Sequence, residues 1–326
     1  GRRIARTDTT IVVRPGMKLM LSNYGGSVTI HTWPRNAVKV LAEYGRRDWI
    51  DFREVEGALR MASQSRRGPS GSFDYNLTVP AWMPVALSGT YNDVSVDGLQ
   101  GGLDVETVRG NIVVRRAAGV IGLRTIEGAV DIVGANGRIA ASSVNEAVRI
   151  AQAAGTIAAE AVNGDIHLLD LDSRDVVATT VNGDVIYNGR ILDGGAYRFT
   201  THSGDISVGL SEADNATVSV STFSGDFASS FAIQPRRSNK GERFSFVLGS
   251  GKAKVDLESF QGSIELLRPD GPLLRARVAE AWKEHAFAKE FSSEFLKKFD
   301  KNWKWELKGA APMPEAADDG EGDDGN

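Results

Sequence analysis

The feature that most constrains this chain is an internal repeat built from two short segments. An eight-residue segment recurs from Val85 onward, reading IAAEAVNG from Ile157 and VVATTVNG from Val176. A six-residue segment follows each copy, such as DIHLLD and DVIYNG. The first five copies begin 18 residues apart, and later intervals lengthen to 19, 21, 21 and 37 residues. A repeat of this length indicates an architecture in which each copy buries its apolar face only against its neighbours.

Both segments alternate with a period of two. The first and third positions of the longer segment and the second and fourth of the shorter one are apolar, which predicts two short strands with one buried face. Asn-Gly or Ser-Gly between them predicts a corner, where we expect glycine to supply a positive φ. The chain is therefore predicted to be an all-β protein, a β-solenoid of about nine two-stranded rungs, on the order of 43 Å high. An antiparallel meander is less favoured, because it would not need the same corner in every copy.

The same alignment predicts which side chains fill the core. One column is expected on the first strands and a second column should face it across a thin core. The first column comprises Ile121, Ile139, Ile157 and Val176, and the second comprises Val130, Val148, Ile166 and Val185.

The ends of the chain depart from the repeat, and four regions are predicted: a β-sheet cap (1–80), solenoid repeats (81–268), an amphipathic helix (269–308) and a disordered acidic tail (309–326). The cap is expected to be antiparallel, with its aromatic residues in the core rather than forming a sugar-binding platform. Those residues are Tyr24, Trp33, Tyr44, Trp49 and Tyr75. The 37-residue interval predicts an inserted hairpin with a basic tip at Arg236, Arg237, Lys240 and Arg243.

The predicted helix, Leu274–Leu307, carries a row of aromatic residues that we expect to be an interaction surface. The row consists of Trp282, Phe287, Phe291, Phe295, Phe299 and Trp303. Two strips of small or apolar outward positions on the solenoid could receive it within the same subunit. They are Gly122, Ala140, Ala158 and Val177 on one face, and Val133, Ala151 and Leu169 on the other. Docking on a neighbouring subunit or on a membrane is the alternative.

Composition excludes several classes of function. The net charge of −4 does not favour nucleic acid as a partner. The chain contains no cysteine, which excludes disulfides, thiolate metal sites and a cysteine nucleophile. It contains no apolar run long enough for a transmembrane helix.

No motif predicts catalysis, a cofactor or a metal. Aspartates recur at the corner of consecutive rungs and could form a calcium-binding ladder: Asp165, Asp184, Asp205 and Asp226. Aspartate also suits the position after a corner glycine for reasons of turn geometry alone. We therefore expect these carboxylates to be exposed and without a bound ion. The four histidines share no spacing, and His202 is interpreted as a packed or corner residue; the others are His31, His167 and His285. The acidic tail at Asp318–Asp324 lacks calcium-loop spacing. A carbohydrate-active enzyme would need converging outward carboxylates, and Asp104, Glu106 and Asp131 are predicted to lie on different strands of the rung.

The repeat region and the segment before it resemble a known bacterial family. The carriers are the strand GSVTIHTW, the Val79-Pro80 lead-in and the Asn/Ser-Gly-Asp corners, over roughly Thr9–Arg268. This pattern is similar to the putative-adhesin family of β-solenoid domains, a family of unknown function with relatives in Lia-type envelope-stress proteins. The resemblance implies export to the periplasm, cell surface or medium after removal of a signal peptide, and it implies no enzyme activity.

We therefore expect a non-catalytic envelope or cell-surface scaffold that binds a protein or polysaccharide of the cell envelope. A self-assembling subunit of an extracellular filament is the first alternative, and a carbohydrate-active β-helix enzyme is the second. No cofactor is expected.

Overall fold

A computed structural model of the chain describes residues 4–66, 68–233, 236–237 and 243–282. Its strands form a single 25-stranded hydrogen-bonded sheet, which winds around one core. Residues up to Val278 belong to one compact unit, and the chain from Ala279 onward belongs to a second. The prediction of an all-β solenoid is confirmed.

The first six strands combine antiparallel pairing with the parallel stack. They are β1 (Ile4–Val12), β2 (Lys18–Trp33), β3 (Ala37–Gly45), β4 (Asp48–Val55), β5 (Ala58–Ser65) and β6 (Asp74–Pro80). β1 pairs antiparallel with β3, β3 with β6, and β4 with β5. β5 and β6, however, pair in parallel with the two halves of β2. Parallel rungs thus continue into the region predicted to be an antiparallel cap.

The repeats form the strands that follow. They are β7 (Val85–Asp97), β8 (Leu103–Arg109), β9 (Ile112–Arg115), β10 (Ala118–Thr125), β11 (Val130–Val133), β12 (Asn136–Ser143), β13 (Val148–Ala151), β14 (Ala154–Ala161), β15 (Ile166–Leu169), β16 (Asp172–Asn182), β17 (Val185–Asn188), β18 (Ala196–Ser203), β19 (Ile206–Gly209), β20 (Ala216–Ser224) and β21 (Phe227–Ser229). The remaining elements are β22 (Arg236–Arg237), β23 (Arg243–Leu248), β24 (Ala253–Gln261), β25 (Ile264–Leu267) and helix α1 (Pro272–Trp282).

Each repeat contributes one strand to each of two parallel ladders, in the predicted register. Ile121, Ile139, Ile157 and Val176 are successive partners in one ladder. Val130, Val148, Ile166 and Val185 are successive partners in the other. All eight side chains are buried, so the two predicted core columns are confirmed.

The order of the last rungs differs from the order along the chain. β24 pairs with β18 on one side and with β20 on the other, and β25 pairs with both β19 and β21. The rung written last in the sequence therefore lies between the two rungs that precede it. The inserted hairpin explains this order, since β23 runs antiparallel along β20 and β22 pairs with β23. The chain therefore forms the end rung, β20 and β21, first, and then returns to form β24 and β25 in the rung before it.

The predicted positive φ is present in some copies of this corner and absent from others, and the corner requires glycine for a second reason. Gly110 has a φ of 132°, whereas Gly183 does not adopt a positive φ. A Cβ atom on Gly183 would instead lie 2.2 Å from the carbonyl oxygen of Gly164 in the rung before, and one on Gly204 would lie 2.0 Å from the carbonyl oxygen of Gly183. The hydroxyl of Thr180 donates to that same Gly164 carbonyl at 2.9 Å. Close stacking of backbone on backbone is what excludes a side chain here.

Positive φ also occurs at the other corner, at the sixth position of the six-residue segment. Gly134 has a φ of 72° there, while Gln152 and Asp170 occupy equivalent places at 52° and 51°. The nearest heavy atom to a Cβ on Gly134 would be 3.7 Å away, so this corner has room for a side chain.

The predicted helix begins close to its expected start, at Pro272. Leu274 is fully buried, and the guanidinium of Arg277 pairs with the Glu265 carboxylate at 2.8 Å and donates to the hydroxyl of Ser207 at 2.9 Å. Beyond Trp282, the predicted helix to Leu307 and the acidic tail lie outside the described residues.

The two corners predict different costs for the same substitution. Gly183→Ala should lower the free energy of unfolding by about 3 kcal/mol or more, because rigid backbone occupies the space that the methyl group needs. Gly134→Ala should cost only about 1–2 kcal/mol, the price of a left-handed alanine. Urea unfolding monitored by circular dichroism measures both values. Equal losses, or a larger loss at Gly134, would contradict this account of the corner.

Candidate interaction surface

The most unusual surface of the solenoid is a column of outward apolar side chains beside the Asn-Gly corner. They occupy the sixth position in all but the first of the eight-residue segments, one per rung; the first copy, from Val85, has Thr90 there. Backbone bonds hold them in line: the N–H of Asn163 donates to the carbonyl of Val144 at 2.7 Å, and the N–H of Asn182 donates to that of Val162 at 2.7 Å. We call this column the apolar ridge. In spatial order it comprises Val108, Ile126, Val144, Val162, Val181, His202, Phe260 and Phe223.

The ridge is exposed along its length and becomes aromatic at one end. Val162 is 39% exposed and Phe223 is 73% exposed, whereas Val144 is half-buried. His202 stacks on Phe260 with ring centroids 4.8 Å apart, and Phe260 stacks on Phe223 at 4.7 Å, with nearly parallel planes in both pairs. His202 was interpreted as a packed or corner residue; it lies beside the Ser203-Gly204 corner, and its ring is exposed on the surface as part of the aromatic stack rather than packed in the core.

Uncharged side chains flank the middle of the ridge at the seventh position. The amide of Asn163 donates to the side-chain oxygen of Asn145 at 3.1 Å, and the amide of Asn182 donates to that of Asn163 at 2.9 Å. Towards the other end, Arg109 and Glu127 form an ion pair with each other. The fourth position, on the other side of the ridge, carries the exposed charges of Glu106, Arg124, Glu160 and Glu258. The surroundings of the ridge are therefore polar, with a small net negative charge.

A contiguous row has a different meaning from scattered apolar residues. Single exposed valines are ordinary on protein surfaces, but a continuous apolar patch marks a surface for interaction. The signal was present in the sequence as the sixth column of the repeat. The column cannot be recognised from a single copy of the repeat, because one outward valine is ordinary in a β-strand.

The corner carboxylates have a structural role. The N–H of Asp184 donates to the Oδ1 atom of Asp165 at 2.8 Å, and the N–H of Asp205 donates to the Oδ1 atom of Asp184 at 2.8 Å. Asp205 in turn accepts the N–H of Ser263 at 2.7 Å, so the rung of Asp226 is not the next in the column. Asp165, Asp184 and Asp205 are half-buried rather than exposed, and only Asp226 matches that prediction. The carboxylates of Asp165, Asp184 and Asp205 therefore each tie one rung to the next.

The remaining candidates for chemistry do not converge. Asp104 and Glu106 lie on β8, whereas Asp131 lies on β11 in the other ladder. Asp131 is also buried rather than exposed, and its carboxylate lies 3.4 Å from the guanidinium of Arg149. Burial lowers the pKa of Arg149, and the Asp131 charge opposes that effect. Within the described ranges, no group of three His, Asp or Glu side chains is placed to hold a metal ion.

The N-terminal aromatic residues divide between core and surface. Tyr75 is buried, which raises its pKa, and Tyr44 stacks on Phe73 with ring centroids 4.7 Å apart. Trp49 and Tyr24 are exposed, so the expectation that all of them form the core is wrong for these two. Tyr24 packs edge-on against Tyr91 at 5.5 Å.

The aromatic row predicted as an interaction surface falls largely outside the described residues. Trp282 is the last residue of α1, and Phe287, Phe291, Phe295, Phe299 and Trp303 are not described. Lys240 and the side chains of Arg236 and Arg237 are likewise not described, and neither is His285. The docking of this row stays a prediction.

Replacing Asp184 tests the structural role of the carboxylate column. Burial raises the pKa of Asp184, with the neighbouring Asp165 and Asp205 charges adding to the effect. The folded state therefore loses stability as pH rises from the unfolded pKa, about 3.9, through the raised folded pKa. Asn cannot ionise and still accepts the Asp205 N–H. The stability of Asp184→Asn relative to the wild type should increase across that pH interval and then level off, as measured by urea unfolding between pH 3 and 8. A relative stability that falls as pH rises would contradict this role.

Part of this chain matches a family model, and the chain is similar to solved structures. Residues 131–267 match the family model of Toastrack DUF4097. The chain is similar to the crystal structure of a putative cell adhesion protein from Clostridium sporogenes ATCC 15579, with 12% identity over 81% of this chain and 100% of that chain, and a TM-score of 0.21. It is also similar to the crystal structure of a putative adhesin from Bacteroides fragilis NCTC 9343, with 12% identity over 82% of this chain and 98% of that chain, and a TM-score of 0.39. No curated protein matches the sequence significantly.

Proposed function

We propose that this chain, whose residues 131–267 match the family model of Toastrack DUF4097, is a non-catalytic, adhesin-like β-solenoid that binds other macromolecules through its apolar ridge. The single observation that carries the proposal is the ridge itself. Eight successive rungs place an apolar or aromatic side chain at one outward position, beside a corner that already fixes the backbone. The fold does not need an apolar side chain there, since the corner is held by backbone and polar contacts.

Polar side chains near the ridge are occupied with structural bonds rather than arranged for catalysis. The Asp column accepts backbone N–H groups and the buried Thr and Ser hydroxyls donate to corner carbonyls, as Thr201 does to Gly183 at 2.9 Å. The Asn side chains bond to one another. A surface of this kind supports recognition by shape and apolar contact.

We place this protein in the periplasm, on the cell surface or outside the cell, with a protein or polysaccharide of the envelope as its partner. The support is the resemblance of the repeat region to the putative-adhesin family and the match of residues 131–267 to the Toastrack DUF4097 family model. None of the described helical segments has the length and apolar character needed to span a membrane.

Binding to bacterial envelope fragments tests the proposal. Wild-type protein should co-sediment with isolated fragments, and Val162→Glu with Val181→Glu should weaken that binding at least tenfold, because two charges would have to be desolvated at the contact. Val120→Glu is the matched control, since Val120 is 68% exposed but lies off the ridge. Protease treatment of the fragments separates a protein partner from a polysaccharide. Undiminished binding by the double variant, or no binding by the wild type, would overturn the proposed role of the ridge.

A filament subunit is a second candidate, and β1 favours it. Among the described strands, β1 pairs only with β3, so one edge of this nine-residue strand offers unpaired backbone groups. Open edges of this kind permit strand addition between molecules. Electron microscopy of concentrated protein should then show fibres, and these should be lost when Thr10→Lys places a charge at the edge. Discrete particles at all concentrations would exclude the filament.

A further inference from the structure

We infer that the apolar ridge binds the ridge of a second copy of this chain, with the two solenoids side by side and antiparallel. The inference rests on the proposed function in taking the ridge as a binding surface, and it adds a second occupant, which would compete with the envelope partner for that surface. Three properties of the ridge support it: its repeat distance, its charge and its area.

The repeat distance of the ridge matches another solenoid better than it matches a helix or a single strand. Ridge side chains recur once per rung, about every 4.8 Å. A helix returns to the same face about every 5.4 Å, and an extended strand does so about every 6.7 Å. Over the seven intervals of the ridge, a helix would drift by about 4 Å, nearly a whole rung. Another copy of the stack has the same repeat and stays in step over the full length.

The charges around the ridge permit two copies to approach each other. The flanking side chains at Asn145, Asn163, Asn182, Ser203 and Gln261 are uncharged, and amides both donate and accept hydrogen bonds. Arg109 and Glu127 neutralise each other within one copy. On the other flank, at the fourth position of the segment, Glu106, Arg124, Glu160 and Glu258 are exposed. An antiparallel pair would place Glu258 opposite Arg124 and would place Glu106 and Glu160 opposite the uncharged Ser221 and Thr179, so like-charge repulsion across the contact would be small.

The area is sufficient for a dimer. The ridge is about 34 Å long, and with one flanking column on each side it is roughly 20 Å wide, or about 700 Å². A stable protein–protein interface buries about 800 Å² on each partner. The ridge with its two flanking columns therefore supplies most of the surface that a specific dimer needs.

Side-chain size along the ridge selects the antiparallel orientation. The bulky stack of His202, Phe260 and Phe223 occupies one end, while Val108 and Ile126 occupy the other. A parallel pair would place aromatic rings against rings at one end and hold the valines apart at the other. An antiparallel pair keeps the combined volume even along the contact. It places Val108 opposite Phe223, Ile126 opposite Phe260, Val144 opposite His202, and Val162 opposite Val181.

Sedimentation velocity of the full chain tests the pairing. The wild type should sediment as a dimer, and Val162→Glu should raise the dimer dissociation constant at least tenfold with unchanged circular dichroism. Val120→Glu should leave the dimer unchanged. A wild type that is monomeric at about 100 μM, or a Val162→Glu variant that dimerises as well as the control, would overturn the inference.

Disulfide trapping tests the orientation independently, because the chain contains no cysteine of its own. Mixing Val108→Cys with Phe223→Cys protein under mild oxidation should give a covalent dimer between the two variants. Val108→Cys alone should give no more than Val120→Cys does. Self-linking of Val108→Cys would instead indicate the parallel arrangement and contradict the inference.

The two proposals fail separately. A monomeric wild type whose binding to envelope fragments depends on the ridge would refute self-pairing and leave the proposed function intact. A ridge-dependent dimer whose ridge variants still bind the fragments would support self-pairing and refute the role of the ridge in envelope binding.

Discussion

The stack depends on one close approach, in which the corner glycine of each rung lies against the corner carbonyl of the rung before. A Cβ atom on Gly183 would lie only 2.2 Å from the carbonyl oxygen of Gly164. This contact fixes the height and the lateral position of each strand, so every residue position of the repeat becomes a straight column. The hydroxyl column and the carboxylate column beside it, represented by Thr180 and Asp184, add hydrogen bonds between successive rungs. Three positions of the repeat, Thr or Ser at the fifth, Gly at the eighth and Asp directly after it, therefore hold the corner together.

Once the columns are fixed, the residue types in each column determine the role of the surface that the column forms. Apolar inward columns make the core, and polar columns at the corner bond rung to rung. The sixth column serves neither purpose: its side chains point outward, and most remain exposed to water. An apolar column in that place costs solubility and contributes little to folding, which is why we assign it to binding. A fixed repeat also limits the partner, since only a surface with the same spacing meets every side chain of the ridge.

Local patterns were sufficient to predict the register within a rung. The alternation around Ile157 and Ile166 identified both core columns, and the 18-residue spacing identified their partners. The order of the rungs was not predictable from those patterns, because β24 fits between β18 and β20 through an insertion whose path depends on the end of the stack. The second role of the corner glycine was also missed, since close approach to another rung leaves no trace in the local sequence. The ridge can be recognised in the sequence only when the sixth positions of successive copies are compared.

The most direct test of the central claim is hydroxyl-radical footprinting of the ridge side chains at increasing protein concentration, with mass spectrometry of the full chain. In dilute solution, Phe223, Phe260 and Val162 should be oxidised at the rates of exposed residues. As the protein pairs, their oxidation should fall together, while oxidation of Val120 stays constant. Ridge residues that are protected at every dilution, or that react equally at all concentrations, would contradict the account of the ridge as an exposed surface that another solenoid covers.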